Sequence, residues 1–144
     1  MLANDLYNHL KEAAKKFENE IIKSESSEIE KFCEITGIRN FKKNIIPQAY
    51  FMSFTNKIIK EIFLEIGPLF ISQIKGLIHV SSEVEFFKDI FLNSNYKVSV
   101  DFSEPILKKG KKGDYYSIIF NINLLDEQGN EKIAIDHHEF FFKL

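Results

Sequence analysis

Residues 47–68 read PQAYFMSFTNKIIKEIFLEIGP, and the spacing of apolar residues in that stretch settles most of the architecture. Phe51, Phe54, Ile58, Ile62 and Ile66 recur every three or four positions, which aligns them on one stripe of an α-helix. Tyr50, Ile59 and Phe63 widen the stripe, and polar Ser53, Asn56, Lys57, Lys60 and Glu61 keep only a narrow remainder. A helix this apolar is normally covered on most sides. Pro47 suits a first turn, where its missing N–H costs nothing. Gly67-Pro68 is expected to end the helix. Lys60, Glu61, Glu65 and Gly67 interrupt the run, and no stretch reaches the roughly 20 apolar residues of a membrane span.

Downstream the period changes from 3.6 to two. Ile78, Val80, Val84 and Phe86 alternate with His79, Ser81, Glu83 and Glu85. Tyr96, Val98, Val100 and Phe102 alternate with Lys97, Ser99, Asp101 and Ser103, and Tyr116, Ile118, Phe120, Ile122 and Leu124 with Ser117, Asn121 and Asn123. These are antiparallel strands with one wet face. Turn residues at 92–95, 109–113 and 126–130 join them. In the last strand Ile133, Ile135 and His137 share one parity, whereas Phe140, Phe142 and Leu144 share the other. A bulge near His137-His138-Glu139 would bring both apolar sets to one face.

Upstream, Leu6, Leu10, Ala13, Phe17 and Ile21 predict an amphipathic helix of about five turns. Ser27 and Glu30 form a capping-box pattern that opens a second helix carrying Ile29, Phe32 and Cys33 inward. Gly37 closes it. The expected organisation is one domain over residues 1–144, with a helical extension at 1–23.

Composition narrows the function classes. Hydrophobic residues make up 44% of 144 positions, with 15 Phe, so an ordinary core forms without disulfides or metal. A net charge of −2 gives no drive toward nucleic acid or anionic membrane. One cysteine excludes an internal disulfide and a cysteine-rich zinc site, and a reduced, cytoplasmic setting is expected. The amphipathic, charged N-terminal stretch lacks the apolar core of a signal peptide. Only the long helix is apolar enough to fill the concave face of the sheet, which predicts an α+β fold with an antiparallel sheet wrapped around it.

This order, with Phe32-Cys33-Glu34-Ile35-Thr36-Gly37, resembles the MaoC-like hydratase/dehydratase branch of the hot-dog superfamily. That branch has a short helix ending in Phe-Ala-x-x-Thr-Gly, a loop, then a proline or glycine opening the central helix, here Pro47. Glu85-Phe86-Phe87-Lys88-Asp89-Ile90 is similar to its Phe-x-x-Pro-Val segment without the proline. The resemblance spans residues 25–144. It implies a hot-dog fold with extra N-terminal helices, an acyl thioester (acyl-CoA or acyl-carrier) as ligand, no other cofactor, and a role in fatty-acid metabolism. Active members follow Thr-Gly with an aspartate and then Asn-Pro-x-His. Here Gly37 is followed by Ile38-Arg39-Asn40-Phe41, and no histidine occurs between His9 and His79. Isoleucine cannot accept a proton, so acid–base chemistry at that position is excluded. The expectation is therefore a non-catalytic or auxiliary subunit, paired with itself or another hot-dog subunit. The alternatives are a thioesterase or dehydratase with an unconventional acid, and a structural dimer without ligand.

The expected ligand contacts are Asn40, Pro47, Gln48, Ala49, Tyr50 and Phe54. Free N–H groups at the start of the central helix can hold a thioester carbonyl, although every helix has such an end. Candidate acid–base residues are His79, Glu83 and Asp101. The bland readings are an outward or interface histidine and a solvated row of carboxylates. His137 and His138 are adjacent strand residues that point to opposite faces, and no metal site is expected. Ser81, Ser82 and Ser99 lack nucleophile-elbow glycines, and Cys33 reads as core. Lys108, Lys109, Lys111 and Lys112 at a hairpin tip could attract coenzyme A phosphates, or simply solubilise the turn.

Overall fold

The computed structural model describes residues 3–18, 20–38 and 44–144. Helix α1 (Ala3–Ala14) runs into a 3-10 turn, Lys15–Phe17. Strand β1 (Ile21–Lys23), α2 (Ser26–Thr36) and the long α3 (Gln48–Phe70) follow. Five strands complete the chain: β2 (Gly76–Phe86), β3 (Asn95–Phe102), β4 (Ile106–Lys108), β5 (Tyr115–Leu125) and β6 (Lys132–Lys143). They form one antiparallel sheet in the order β1-β3-β5-β6-β2, and β4 pairs β5 beyond the end of β3.

The central expectation holds, because α3 lies on the sheet. Phe51, Ile58, Ile59, Ile62 and Ile66 are buried against an inner face that includes Val98, Ile118, Phe120, Ile122, Leu124, Phe140 and Phe142. Phe63 packs its ring against Phe140 and Phe120, with centroids 5.0 and 5.6 Å apart. Each such side chain contributes about 1.5–3 kcal/mol on burial. Helix α1 closes one side of this layer through buried Leu6 and Leu10. The helix does not stop at Gly67-Pro68. Pro68 forfeits an N–H bond and crowds the carbonyl four residues back, yet α3 continues to Phe70, which is buried to 4% exposure against the ring of His9.

Other boundaries also differ from the sequence reading. Helix α1 ends at Ala14, and Ile21–Lys23 pairs with β3, with Ile22 opposite Tyr96. The β-branched isoleucines suit an extended edge, although their spacing also continues the helical stripe. The capping box on α2 is made by Glu25 and Glu28, two residues before the Ser27–Glu30 pair. Gly37 ends α2 with φ 74°, as expected of a left-handed cap.

The largest difference is the position of the bulge. Strand β6 pairs regularly with β5 from Ala134 to Phe142, so Asp136, His138, Phe140 and Phe142 share the helix-facing side. The irregularity lies in β2 between His79 and Ser81, where Val80 is the extra residue. His79 therefore pairs with Phe140 and turns to the helix side rather than outward, while Ile78 is left 63% exposed. Strand β2 is also one of the end strands of the sheet.

Candidate functional site

The N-terminal half of α3 borders a cleft of ≈ 400 Å³. Ile46, Phe51, Phe54, Ile90, Tyr96 and Leu124 supply its apolar walls, and Glu20, Ser24, Glu28, Ser53 and Lys57 supply polar ones. Tyr50 also lines it, its ring edge-on to Phe32 at 5.3 Å. Partial burial, then the charge of Glu28, pushes the Tyr50 phenol above its ordinary value, so it stays a neutral donor. Pro47 is the N-cap residue of α3 and offers no side-chain cap, which leaves first-turn N–H groups for water or a ligand.

Of the expected ligand contacts, Tyr50 and Phe54 line this cleft. Pro47, Gln48 and Ala49 form the adjoining helix end, with Gln48 and Ala49 exposed. Asn40 lies outside the described residues.

The three acid–base candidates are not brought together. Glu83 sits opposite His137 on the face away from α3. Asp101 is on that face too, accepting hydrogen bonds from Asn121 Nδ2 at 2.7 Å and Asn123 Nδ2 at 2.9 Å. His137 Nδ1 lies 2.6 Å from Asn121 Oδ1. His79 alone lies on the helix side, its ring stacked on Phe140 at 4.6 Å.

What His79 meets there is a buried polar cluster that the sequence reading missed. Asp136 is 0% exposed and His138 1% exposed. Thr55 Oγ1 donates to Asp136 Oδ2 at 2.5 Å, and Ser82 Oγ donates to Oδ1 at 3.0 Å. His138 Nε2 lies 2.7 Å from Asp136 Oδ2, close in distance although off the axis of the ring N–H. The other ring nitrogen, Nδ1, is 3.0 Å from His79 Nε2. Burial works to raise the Asp136 pKa, but the contacts with His138, Thr55 and Ser82 together outweigh it and hold the carboxyl below its usual range. Asp136 is thus an anion inside an apolar layer, and His79 is the exposed end of the chain of groups leading from it.

A signal for the cluster exists in the sequence. Unbroken alternation from Ala134 to Phe142 places Asp136 and His138 with Phe140, and Thr55 falls on the α3 stripe between Phe51 and Ile58.

Elsewhere, Lys108 pairs with Glu139 at 3.2 Å, and Lys143 Nζ donates to the Lys112 carbonyl at 2.7 Å. Lys111, Lys112 and Lys143 border a second cleft of ≈ 440 Å³ walled by Ile78, Tyr115 and Phe141. Cys33 is buried. Among the described residues no three His, Cys, Asp or Glu side chains converge as metal ligands, and no helix is long and apolar enough to cross a membrane.

No family model matches the sequence, and no curated protein matches it. Solved structures do resemble it in three dimensions. The ChsH1–ChsH2 complex of Mycobacterium tuberculosis aligns with TM-score 0.62 at 13% identity, over 97% of this chain and 92% of the other. The HadBC (3R)-hydroxyacyl-ACP dehydratase complex of the same organism gives 0.62 at 8% identity, over 85% and 90%. The SAV2348 protein of Staphylococcus aureus, solved in complex with CoA, gives 0.55 at 10% identity, over 85% and 67%. Likeness at these identities establishes the fold, which is the hot-dog fold.

Proposed function

We propose that this chain binds an acyl thioester, either acyl-CoA or acyl-carrier. In this reading it is a MaoC-like hot-dog subunit without the customary acid–base pair, and it works paired with itself or with another hot-dog subunit. The observation that carries the reading is the cleft of ≈ 400 Å³ bordered by the N-terminal half of α3, whose N-cap Pro47 provides no side-chain cap. Its apolar floor suits an acyl chain, and oriented N–H groups at a helix start suit a thioester carbonyl. The presence of CoA in one similar structure, and of two components in the two others, is consistent with this. Ile38 at the position of the customary acid removes acid–base chemistry from that point.

Pairing is supported by surface left open on a single chain. Strand β2 ends the sheet, and Leu64, Leu69, Ile71, Leu77, Ile78 and Val80 are exposed there and on α3 and its end. An apolar edge of this kind is normally covered. A reducing compartment such as the cytoplasm suits the free Cys33 thiol.

The test is incubation with saturated and 2-enoyl coenzyme A esters of increasing length, with thermal shift, hydration and thiol release followed together. A shift that grows with chain length is expected. No shift at any length removes acyl binding from contention.

A further inference from the structure

The second cleft, of ≈ 440 Å³, is separate from the one at the start of α3. Its apolar walls, Ile78, Tyr115 and Phe141, share the sheet face opposite Phe140 and Phe142. Tyr115 and Phe141 are half-buried, with ring centroids 4.4 Å apart and planes 31° from parallel. Gly76, opposite Lys143 in the pairing of β2 with β6, adds no side chain and so leaves the space open. The connection between β4 and β5 closes the other side, and it is tied down there. Lys143 Nζ donates to the Lys112 carbonyl at 2.7 Å, and Gly113 turns the chain at φ 113°, which favours glycine. A Cβ on Gly110 would stand 3.0 Å from Tyr115 Cε1, so this tip lies close on the aromatic wall. A turn that served solubility alone would need no such anchorage.

The charge at this cleft has one sign. Lys111, Lys112 and Lys143 line it, and no Asp or Glu does. Glu139, on the same face, is already held by Lys108 at 3.2 Å and by Ser117 Oγ at 2.6 Å. Among the described residues Lys111, Lys112 and Lys143 form no ion pair. Lys143 gives one N–H to the Lys112 carbonyl and keeps two. Three ammonium groups around an apolar hollow call for an anion with an apolar body. We propose that this cleft binds a small aromatic phosphate of the nucleoside monophosphate kind. Its ring packs on Tyr115 and Phe141, and its phosphate meets Lys111, Lys112 and Lys143. Aromatic walls favour a flat body in offset or edge-on contact. A phosphate monoester, close to a dianion at neutral pH, engages several lysine point charges at once. The inference does not depend on the acyl-thioester reading.

The experiment is calorimetric titration of the whole chain with adenosine monophosphate, adenosine, inorganic phosphate and octanoate at low and high salt. The monophosphate is expected to bind, more weakly as salt rises, and about ten-fold or more tightly than the other three. The double variant Lys111→Glu, Lys112→Glu is expected to weaken it by about ten-fold or more, because hydrogen bonds to charged groups are lost. Both lysines are exposed, so the variant should fold. Gly76→Leu fills the hollow without changing charge, its Cβ meeting Lys143 Cβ at an ordinary 3.6 Å, and should abolish binding. Lys132→Glu, an exposed site at the other end of β6, should leave affinity unchanged. No binding of the monophosphate, binding of adenosine, phosphate or octanoate as tightly, or an equal loss in Lys132→Glu overturns the site. Each of these outcomes leaves acyl binding at α3 standing.

Discussion

Asp136 concentrates the energetics of the inner face. It is fully buried and ionised, and it depends on Thr55, Ser82 and His138. Removing the carboxylate leaves the Thr55 and Ser82 hydroxyls without their acceptor, so Asp136→Ala is expected to cost about 1–3 kcal/mol or more in denaturant unfolding. Replacing Asp136 and His138 together by leucine should recover most of that loss, which a double-mutant cycle measures directly. The pH dependence follows from the depressed carboxyl. Its folded-state pKa lies below the unfolded value, so the unfolded chain binds more protons as acid is added. The contribution is complete above roughly pH 4, the unfolded value, and is lost as pH falls through the lower folded value. Acid titration of Asp136→Asn should show a shallower loss of stability over that window than wild type. These residues were legible in principle. Reading β6 without a break places Asp136 and His138 inward, whereas assuming a bulge at His137 hides them, because one extra residue inverts every later side chain.

At the scale of elements, long periodic segments were readable and short ones were not. Helix α3 and strands β3 and β5 repeat their pattern often enough to fix both type and face. Strands β1 and β4 have three residues each, too few to show a period of two. The end of α3 was obscured because Pro68 reads as a stop, yet the helix runs on to the buried Phe70 despite the bond and the carbonyl clearance that a proline forfeits. The bulge in β2 depends on pairing with β6, which lies more than 50 residues away in sequence. Gly37 was legible because its role is local. At φ 74° with no atom within 4 Å of an added Cβ, Gly37→Ala meets backbone strain alone. It is expected to destabilise the protein by about 1 kcal/mol, read from the unfolding midpoint at unchanged m-value.

For the whole molecule, exposed apolar side chains occur on several elements, the β2 edge among them. At the β2 edge Leu77 and Val80 are exposed, and Leu64, Leu69 and Ile71, the last at 84%, are exposed on α3 and just past its end. If a hot-dog partner covers the β2 edge, Val80→Lys should weaken association at least about ten-fold by sedimentation, since lysine on an edge strand opposes pairing. The resemblance read from the sequence implied pairing, but not which strand supplies an open edge, because strand order is set by long-range pairing. The lining of the α3 cleft was legible in part: Tyr50 and Phe54 were visible on the α3 stripe, whereas Ile46, Ile90 and Leu124 join them only through the fold. Calorimetric titration with a saturated acyl-CoA series against free CoA tests acyl binding most directly. Affinity that rises with each added methylene, carries a negative heat-capacity change and is abolished by Phe54→Lys is the expected result. Equal heats for CoA and every ester, or affinity unaffected by Phe54→Lys, would contradict acyl binding at the end of α3.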